Sequence, residues 1–320
     1  MSPWWQAHSA LHPDGAQLSL IIDRLWSPMF AAAAAIFALV AGALGWALLR
    51  RRAAAEAPDG PGRERGMRWT VSLATACTVA VLLVLLGLDI SVSRATSAAP
   101  GRDALRVVVI GHQWWWEIRY GDTTSDRGVV TANEIHVPVG RPVIVQLKSD
   151  DVIHSLWVPS LAGKKDLIPG RTAVMTFRAD QPGLYRGQCA EFCGLQHAFM
   201  AFNVHAEPPE QFEAWRKQQL TPPAPPADAG ALRGQAVFQS SSCAMCHAVA
   251  GTLAGAQHAP DLSHVASRQT LAAGTLPNTP AQLAAWIADP QKFKPGTTMP
   301  ATPLSGEDLA ALVAYLGTLK

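Results

Sequence analysis

The chain has 320 residues, 49% apolar and 16% charged, with 26 basic against 24 acidic side chains and a net charge of +2. Such a balance excludes a strongly basic nucleic-acid binder and an acidic disordered tail. Five cysteines in this length exclude a disulfide-stapled small domain, and two ordinary domains are allowed.

Residues 1–25 form a polar tail with Pro3, His8, His12, Pro13 and Asp14. It has no secretory-leader pattern, so either a leader is missing or the tail is translocated with the first apolar run. That run, Trp26 to Leu49, has 24 residues without a charge, and Trp69 to Leu88 is a second of 20. As helices each is roughly 30–36 Å long, enough to cross a hydrocarbon core of about 30 Å. Residues 26–90 therefore read as a transmembrane helical hairpin. Its loop, 50–68, carries Arg50, Arg51, Arg52, Arg63, Arg65 and Arg68 against Glu56, Asp59 and Glu64, whereas the tail offers only Arg24. This bias places the loop in the cytoplasm and both termini outside. Cys77, in mid-span, reads as a small lipid- or helix-facing residue.

From 101 to 215 the pattern changes to short β-branched runs, Val107–Ile110, Val143–Val145 and Val174–Phe177. Turns at Val139-Gly-Arg-Pro142, Ile168-Pro-Gly170 and Gln181-Pro-Gly183 divide them, as in a β-sandwich or barrel. Cys189-Ala-Glu191-Phe-Cys193-Gly-Leu-Gln-His197-Ala-Phe-Met200 packs two thiols, an imidazole and a thioether into one loop. Soft sulfur ligands with imidazole select copper among the common metals. Two cysteines four apart let both sulfurs bridge a pair of coppers, and His154 in Asp151-Val-Ile-His154 is the best-placed second imidazole. A Cys189–Cys193 disulfide would leave His197 and Met200 without a role, and zinc has no use for a thioether.

With Gly111-His-Gln-Trp-Trp-Trp116, Ile153-His154-Ser and Ile168-Pro-Gly-Arg171 added to that loop, residues 10–215 resemble subunit II of haem–copper cytochrome c oxidases. The resemblance implies an all-β cupredoxin Greek-key barrel with a binuclear, mixed-valence copper (CuA) centre. Cys189 and Cys193 would bridge both coppers, His154 and Met200 would complete one, and His197 with the Glu191 carbonyl the other. The Glu191 side chain matches a family residue that reaches a Mg or Mn ion shared with subunit I. Trp114 matches an exposed tryptophan that takes electrons from cytochrome c, and Trp115 replaces a common tyrosine. In a strand, Trp114 and Trp116 would share one face and Trp115 the other; Trp116 reads as core packing. His112, His136 and His205 read as ordinary strand or surface histidines. Where the family has a glutamate feeding a proton pathway this chain has Gly66, and Glu64 is the candidate substitute.

Residues 216–230 include Thr221-Pro-Pro-Ala-Pro-Pro-Ala-Asp-Ala-Gly230, a stiff, extended linker. Beyond it Cys243-Ala-Met-Cys246-His247 is the c-type haem attachment signature. Both thiols add to the haem vinyls and His247 binds iron. Met299, in Lys294-Pro-Gly-Thr-Thr-Met299-Pro300, is the favoured sixth ligand, with Met245, His258 and His264 competing. Gly306–Leu316 has the spacing of a capped terminal helix. Residues 231–320 resemble an all-α class I cytochrome c, with Pro260 matching the proline beside the proximal histidine.

The whole is then a caa3-type arrangement, a subunit II fused to its own cytochrome c in the bacterial inner membrane. The resemblance implies electron flow from an external cytochrome c or upstream cytochrome complex through haem c and the copper pair. It continues to subunit I, of haem a and a3/CuB type, where oxygen becomes water with proton pumping; subunit III and membrane lipid complete the partners. Residues 101–220 carry 13 basic and 13 acidic side chains, and 230–320 five and four, so the haem segment suits a tethered partner better than a free basic carrier. Two alternatives have similar sequence features: the small subunit of a CuA-containing nitric oxide reductase, and a tethered carrier with no catalytic partner.

Overall fold

The structure, a computed structural model, describes residues 13–50, 61–96, 101, 103–121 and 128–320. The first 12 residues of the tail and 51–60 of the expected cytoplasmic loop, including Arg51, Arg52, Glu56 and Asp59, lie outside the described residues. The chain divides into two compact units, Gln17–Ala99 and a second made of Met1–Ala16 with Pro100–Lys320.

In the first unit α1 (Ala16–Ile21) passes through one π-helical turn into α2 (Ser27–Arg50), and α3 (Pro61–Thr96) comes next. Both α2 and α3 are long and apolar enough to cross a membrane. The 36-residue α3 outruns its uncharged stretch at both ends. Arg63 to Arg68 and Asp89 to Arg94 continue its hydrogen-bond ladder, because an extra residue on an existing helix needs no new nucleus. Pro61 opens it where a missing N–H costs nothing. Glu64, the candidate proton residue, lies in its first turn, ion-paired with Arg68 at 2.6 Å. Phe37, Leu39 and Leu49 are 75%, 73% and 85% exposed, a surface suited to lipid or a partner helix.

Among the described residues the second unit has ten strands ahead of its helical half: β1 (Leu105–His112), β2 (Trp115–Tyr120), β3 (Val129–Ala132), β4 (Glu134–Pro138), β5 (Val143–Ser149), β6 (His154–Trp157), β7 (Lys165–Leu167), β8 (Ala173–Phe177), β9 (Gly183–Cys189) and β10 (Ala201–Glu207). They form two five-stranded sheets, ordered β3-β2-β1-β5-β8 and β4-β10-β9-β6-β7. β1 with β5 and β4 with β10 pair in parallel and the other pairs are antiparallel. This is the crossed connection of a cupredoxin-like Greek key. Alternation sends Val107 and Val109 of β1 and Val143, Val145 and Leu147 of β5 into the core. Trp116 is fully buried there, edge-on to Phe202 with ring centres 5.4 Å apart. At Gly187 a methyl group would lie 2.1 Å from the Phe202 ring, so only glycine leaves space for that packing.

Trp114 is not in a strand. The backbone turns at Gln113–Trp114 between β1 and β2, yet the expected pattern of burial holds: Trp114 and Trp116 are both buried, and Trp115, half-buried, stacks on His112 at 4.4 Å.

α4 (Pro209–Gln219) caps this half with Phe212 and Trp215. The extended proline-rich segment is limited to 220–228, because α4 runs on to Gln219 and α5 (Ala229–Ser240) starts behind an Asp228 side-chain cap. Then come α6 (Cys243–Cys246), a two-residue ladder of β11 (Thr270–Leu271) and β12 (Leu276–Pro277), α7 (Pro280–Ala288), α8 (Pro290–Phe293) and α9 (Gly306–Leu316). α9 spans the residues expected of it, its first amides capped by Ser305. A separate core of Phe238, Val265, Ile287, Leu312, Tyr315 and Leu316 holds this half.

Candidate metal centre and cofactor segment

The Cys189–Met200 loop leaves the end of β9, passes one 3₁₀ turn at His197–Phe199 and returns as β10. Cys189 and Cys193 are free thiols, buried, with sulfurs 3.7 Å apart. That is far beyond a disulfide bond of about 2.05 Å. It lies within the roughly 4.6 Å that two metal–sulfur bonds of about 2.3 Å can span. Around the sulfurs stand His154 Nδ1, 4.0 Å from Cys189, and His197 Nδ1 and Met200 Sδ, 3.6 and 3.8 Å from Cys193. The Glu191 carbonyl is 3.2 Å from the Cys189 sulfur. The six residues named from the sequence thus converge on one pair of sulfurs, and these donors fit a soft metal pair.

One of the two thiols is prepared for deprotonation. A hydrogen bond from the Cys193 thiol, with help from His154 and backbone, pulls Cys189 well below an ordinary thiol, although burial opposes it. Cys193 is driven the other way by that same hydrogen bond, by burial and by its neighbour's charge. The Glu191 side chain turns outward and pairs with Lys164 at 3.2 Å.

Asp151 has no place among the expected ligands, yet it sets the chemistry of His154. His154 Nε2 donates to Asp151 Oδ1 at 2.8 Å, which leaves Nδ1 as the free lone pair toward Cys189. Asp151 in turn accepts from the Gln113 and Val152 amides, each at 2.6 Å. Burial works against the His154 imidazolium, but Asp151 and Cys189 outweigh it and raise its pKa. Gly111 explains the first residue of its motif: a methyl group there would lie 2.7 Å from His154 Cδ2. The sequence signal for Asp151 is its spacing alone, three residues before the histidine.

A second histidine cluster lies on β4 and β10. His136 and His205 are register partners and stack at 4.3 Å with rings 3° from parallel; Trp215 covers the other face of His136 at 4.0 Å. Glu134 and Glu207 complete it, 3.9 and 3.2 Å from His136 nitrogens. Imidazole lone pairs lie in the ring plane, so parallel stacked rings aim past a common ion. The cluster is instead a pair of carboxylates with one imidazolium between them. Burial opposes that charge on His136, but the two glutamates outweigh it and raise its pKa. His205 is held down to about 4 by burial and by the His136 charge.

In the helical half, Cys243 and Cys246 stand one turn apart on α6 as free thiols. His247 Nδ1 donates to the Pro260 carbonyl at 2.7 Å, so Nε2 carries the lone pair. Burial lowers the pKa of this imidazole and keeps it neutral. Two thiols and a committed imidazole tautomer fit a thioether-linked haem. Met299 is half-buried on a loop fastened by Gln291, which donates to the Thr297 and Met299 carbonyls and accepts from the Gly296 amide. Of the competing ligands, Met245 and His258 are exposed. His264 is buried with neither ring nitrogen hydrogen-bonded among the described residues.

Two family descriptions match the chain: cytochrome c oxidase subunit II, periplasmic domain, over residues 123–207, and cytochrome c over 231–320. Cytochrome c oxidase subunit 2 of Alkalihalophilus pseudofirmus is 34% identical over 319 residues, covering 98% of this chain and 91% of that protein. The protein of the same name in Bacillus subtilis is 33% identical over 266 residues, 79% of this chain and 73% of that one. Among solved structures, the periplasmic domain of subunit II of cytochrome oxidase from Bradyrhizobium japonicum is 29% identical with a TM-score of 0.35. It aligns over 38% of this chain and 96% of its own.

Proposed function

Because the chain belongs to the cytochrome c oxidase subunit 2 family, with a cytochrome c segment at its C-terminus, we propose that it is the electron-input subunit of a terminal haem–copper oxidase. In this reading it accepts electrons from an external cytochrome onto a haem held by Cys243, Cys246, His247 and Met299. It passes them by way of Trp114 and a copper pair to subunit I, where oxygen is reduced with proton pumping. α2 and α3 anchor it in the cytoplasmic membrane, with the sheets and the haem segment outside.

The observation that carries the reading is the convergence of Cys189, Cys193, His154, His197 and Met200 on one pair of sulfurs. Copper and haem, when bound, supply one-electron redox chemistry at nearly fixed geometry. The chain's own residues do the rest. Cys189 and Cys193, with His154, Met200, His197 and the Glu191 carbonyl around them, are the residues that would hold the copper pair. Asp151 fixes the His154 tautomer, and the fully buried Trp116 packs edge-on against the His154 ring at 5.9 Å. The Glu191 side chain, paired with Lys164, is the residue of this chain that would hold a Mg or Mn ion shared with subunit I.

The deciding experiment is oxygen uptake by the complex co-purified on a tag at Lys320 and driven by reduced cytochrome c. Rapid, cyanide-sensitive uptake is expected. Nitric oxide consumption in its place would move the chain to a reductase, and recovery of the chain without any catalytic partner would leave a tethered carrier.

A further inference from the structure

The haem segment is seated on the copper half, and the seat is polar and close. The Ala201 amide donates to the Ala273 carbonyl at 3.0 Å, and the Gln269 amide to Glu134 Oε1 at 2.8 Å. Gln196 Nε2 donates to the Pro295 carbonyl at 2.8 Å. Gly296, at φ +84°, comes so near Leu195 that a methyl group would lie 3.0 Å from its Cδ1.

The centre of this seat is Lys294, which is 2% exposed. Its ammonium donates to the carbonyls of Trp114 at 2.8 Å, Phe199 at 2.9 Å and Ala272 at 3.2 Å. These belong to three segments: the turn between β1 and β2, the cysteine loop, and the turn between β11 and β12. All three N–H donors are used, and none goes to a carboxylate. Burial draws the pKa down to about 8, so the group keeps its charge at neutral pH. A buried cation without a counter-ion is a costly way to fill space. An apolar side chain would pack as well; what it could not supply is a directional three-way tie. The tied residue is itself tied onward, since Trp114 Nε1 donates to the Cys193 carbonyl at 2.9 Å.

The same contact corrects the expectation that Trp114 is exposed. It is 7% exposed, with Lys294 bonded to its carbonyl and Gly296 beside its ring.

We propose that Lys294 is an interdomain latch that holds the Met299-bearing loop on the Trp114 face. Trp114 then serves this chain's own haem segment and is closed to a free cytochrome c. The proposal rests on the electron-input reading of the chain, and Lys294 acts in it as a positioning residue.

The test is Lys294→Met in the complete oxidase complex. Copper and haem absorption are expected to stay unchanged. Flash-initiated haem-to-copper transfer slows roughly ten- to hundred-fold, the scale of a small misplacement of reacting partners. Hydrogen exchange at the Ala201 and Gln269 amides, both interdomain donors, accelerates. Added reduced cytochrome c gains a route to copper that bypasses the haem. If Lys294→Met loses its haem absorption, Lys294→Gln, which keeps a shorter donor, gives the same readouts with a smaller loss. Unchanged transfer and unchanged exchange with both spectra intact overturn the latch. Exchange reports docking whether or not cofactors are bound. An unmodified complex lacking copper and haem signals would therefore sink the functional reading while exchange still decides the latch.

Discussion

At the residue scale, side chains that bind no metal in the proposed centre set the properties of those that do. Asp151 takes the Nε2 proton of His154 and is itself pinned by two amides, so the imidazole cannot turn its lone pair away from Cys189. Asp151→Ala removes the acceptor and leaves Nε2–H buried without a partner. The expected result is a copper affinity lower by about 10- to 100-fold with a folded β-sandwich, read by copper titration and far-ultraviolet circular dichroism. An unchanged affinity would mean the ring is held by packing against Gly111 and Trp116 alone. The second histidine cluster makes a pH prediction. His136 has a raised folded-state pKa, so its contribution is full below its unfolded value near 6.5 and is lost as pH rises through the folded value. His205, held near 4, is neutral in the folded state, and once pH is well above its unfolded value near 6.5 it is neutral in the unfolded state too, so it adds nothing to the fall at higher pH. Thermal midpoints of the unmodified chain should therefore fall as pH rises above about 6.5. In His136→Asn that limb should flatten, and a limb of equal slope in the variant would assign the effect elsewhere.

At the scale of elements, the readable and unreadable parts of the sequence divide by how far apart the interacting residues lie. α9 follows from Ser305, its acidic first turn and its apolar spacing, all within one segment. The cysteine loop is legible for the same reason, since four of its donors fall within 12 residues. The ends of α3 are not, because charged residues that interrupt a hydropathy run do not interrupt a helix. Trp114 misleads in its exposure alone, because the Lys294–Gly296 segment that covers it lies 180 residues further along the chain. Lys294 carries no local signal: only tertiary packing brings three carbonyls to its ammonium. Gly234 is a further case of meaning visible only after folding. It lies where α5 crosses α9, and a methyl group would come 2.0 Å from the Ala311 carbonyl oxygen and 2.7 Å from Tyr315 Cβ. Both neighbours are fixed by the helix, so Gly234→Ala must separate the two helices. The expected cost is about 1–3 kcal/mol, seen as a lower melting temperature of the haem absorbance while the copper half melts as before. Equal melting of the variant and the unmodified chain would show that the crossing yields without loss.

For the whole molecule, the question is what keeps donor and acceptor together: charge, tether or seat. Charge contributes little. The haem segment has five basic and four acidic residues, the copper half 13 of each over 101–220, and the central tie runs from an ammonium to neutral carbonyls. Screening at about 0.15 M salt removes long-range steering but barely touches buried contacts of this kind. Haem-to-copper transfer within the chain should therefore be nearly flat against ionic strength, whereas delivery from a charged external donor should fall steeply. The tether enters through effective concentration, which for a flexible linker drops roughly as the −3/2 power of length. Quadrupling segment 220–228 with glycine and serine would lower docking about eight-fold if the seat were weak and the tether decisive. With Lys294, Gln196 and the Glu134 carboxylate holding the seat, the docked state is already saturated and the internal rate should hardly change. The two effects separate cleanly in one double experiment. Linker extension alone should leave flash-initiated transfer near its original rate, and extension combined with Lys294→Met should slow it beyond either change by itself. A full eight-fold loss from extension alone would show that the proline-rich segment, not the seat, governs the encounter.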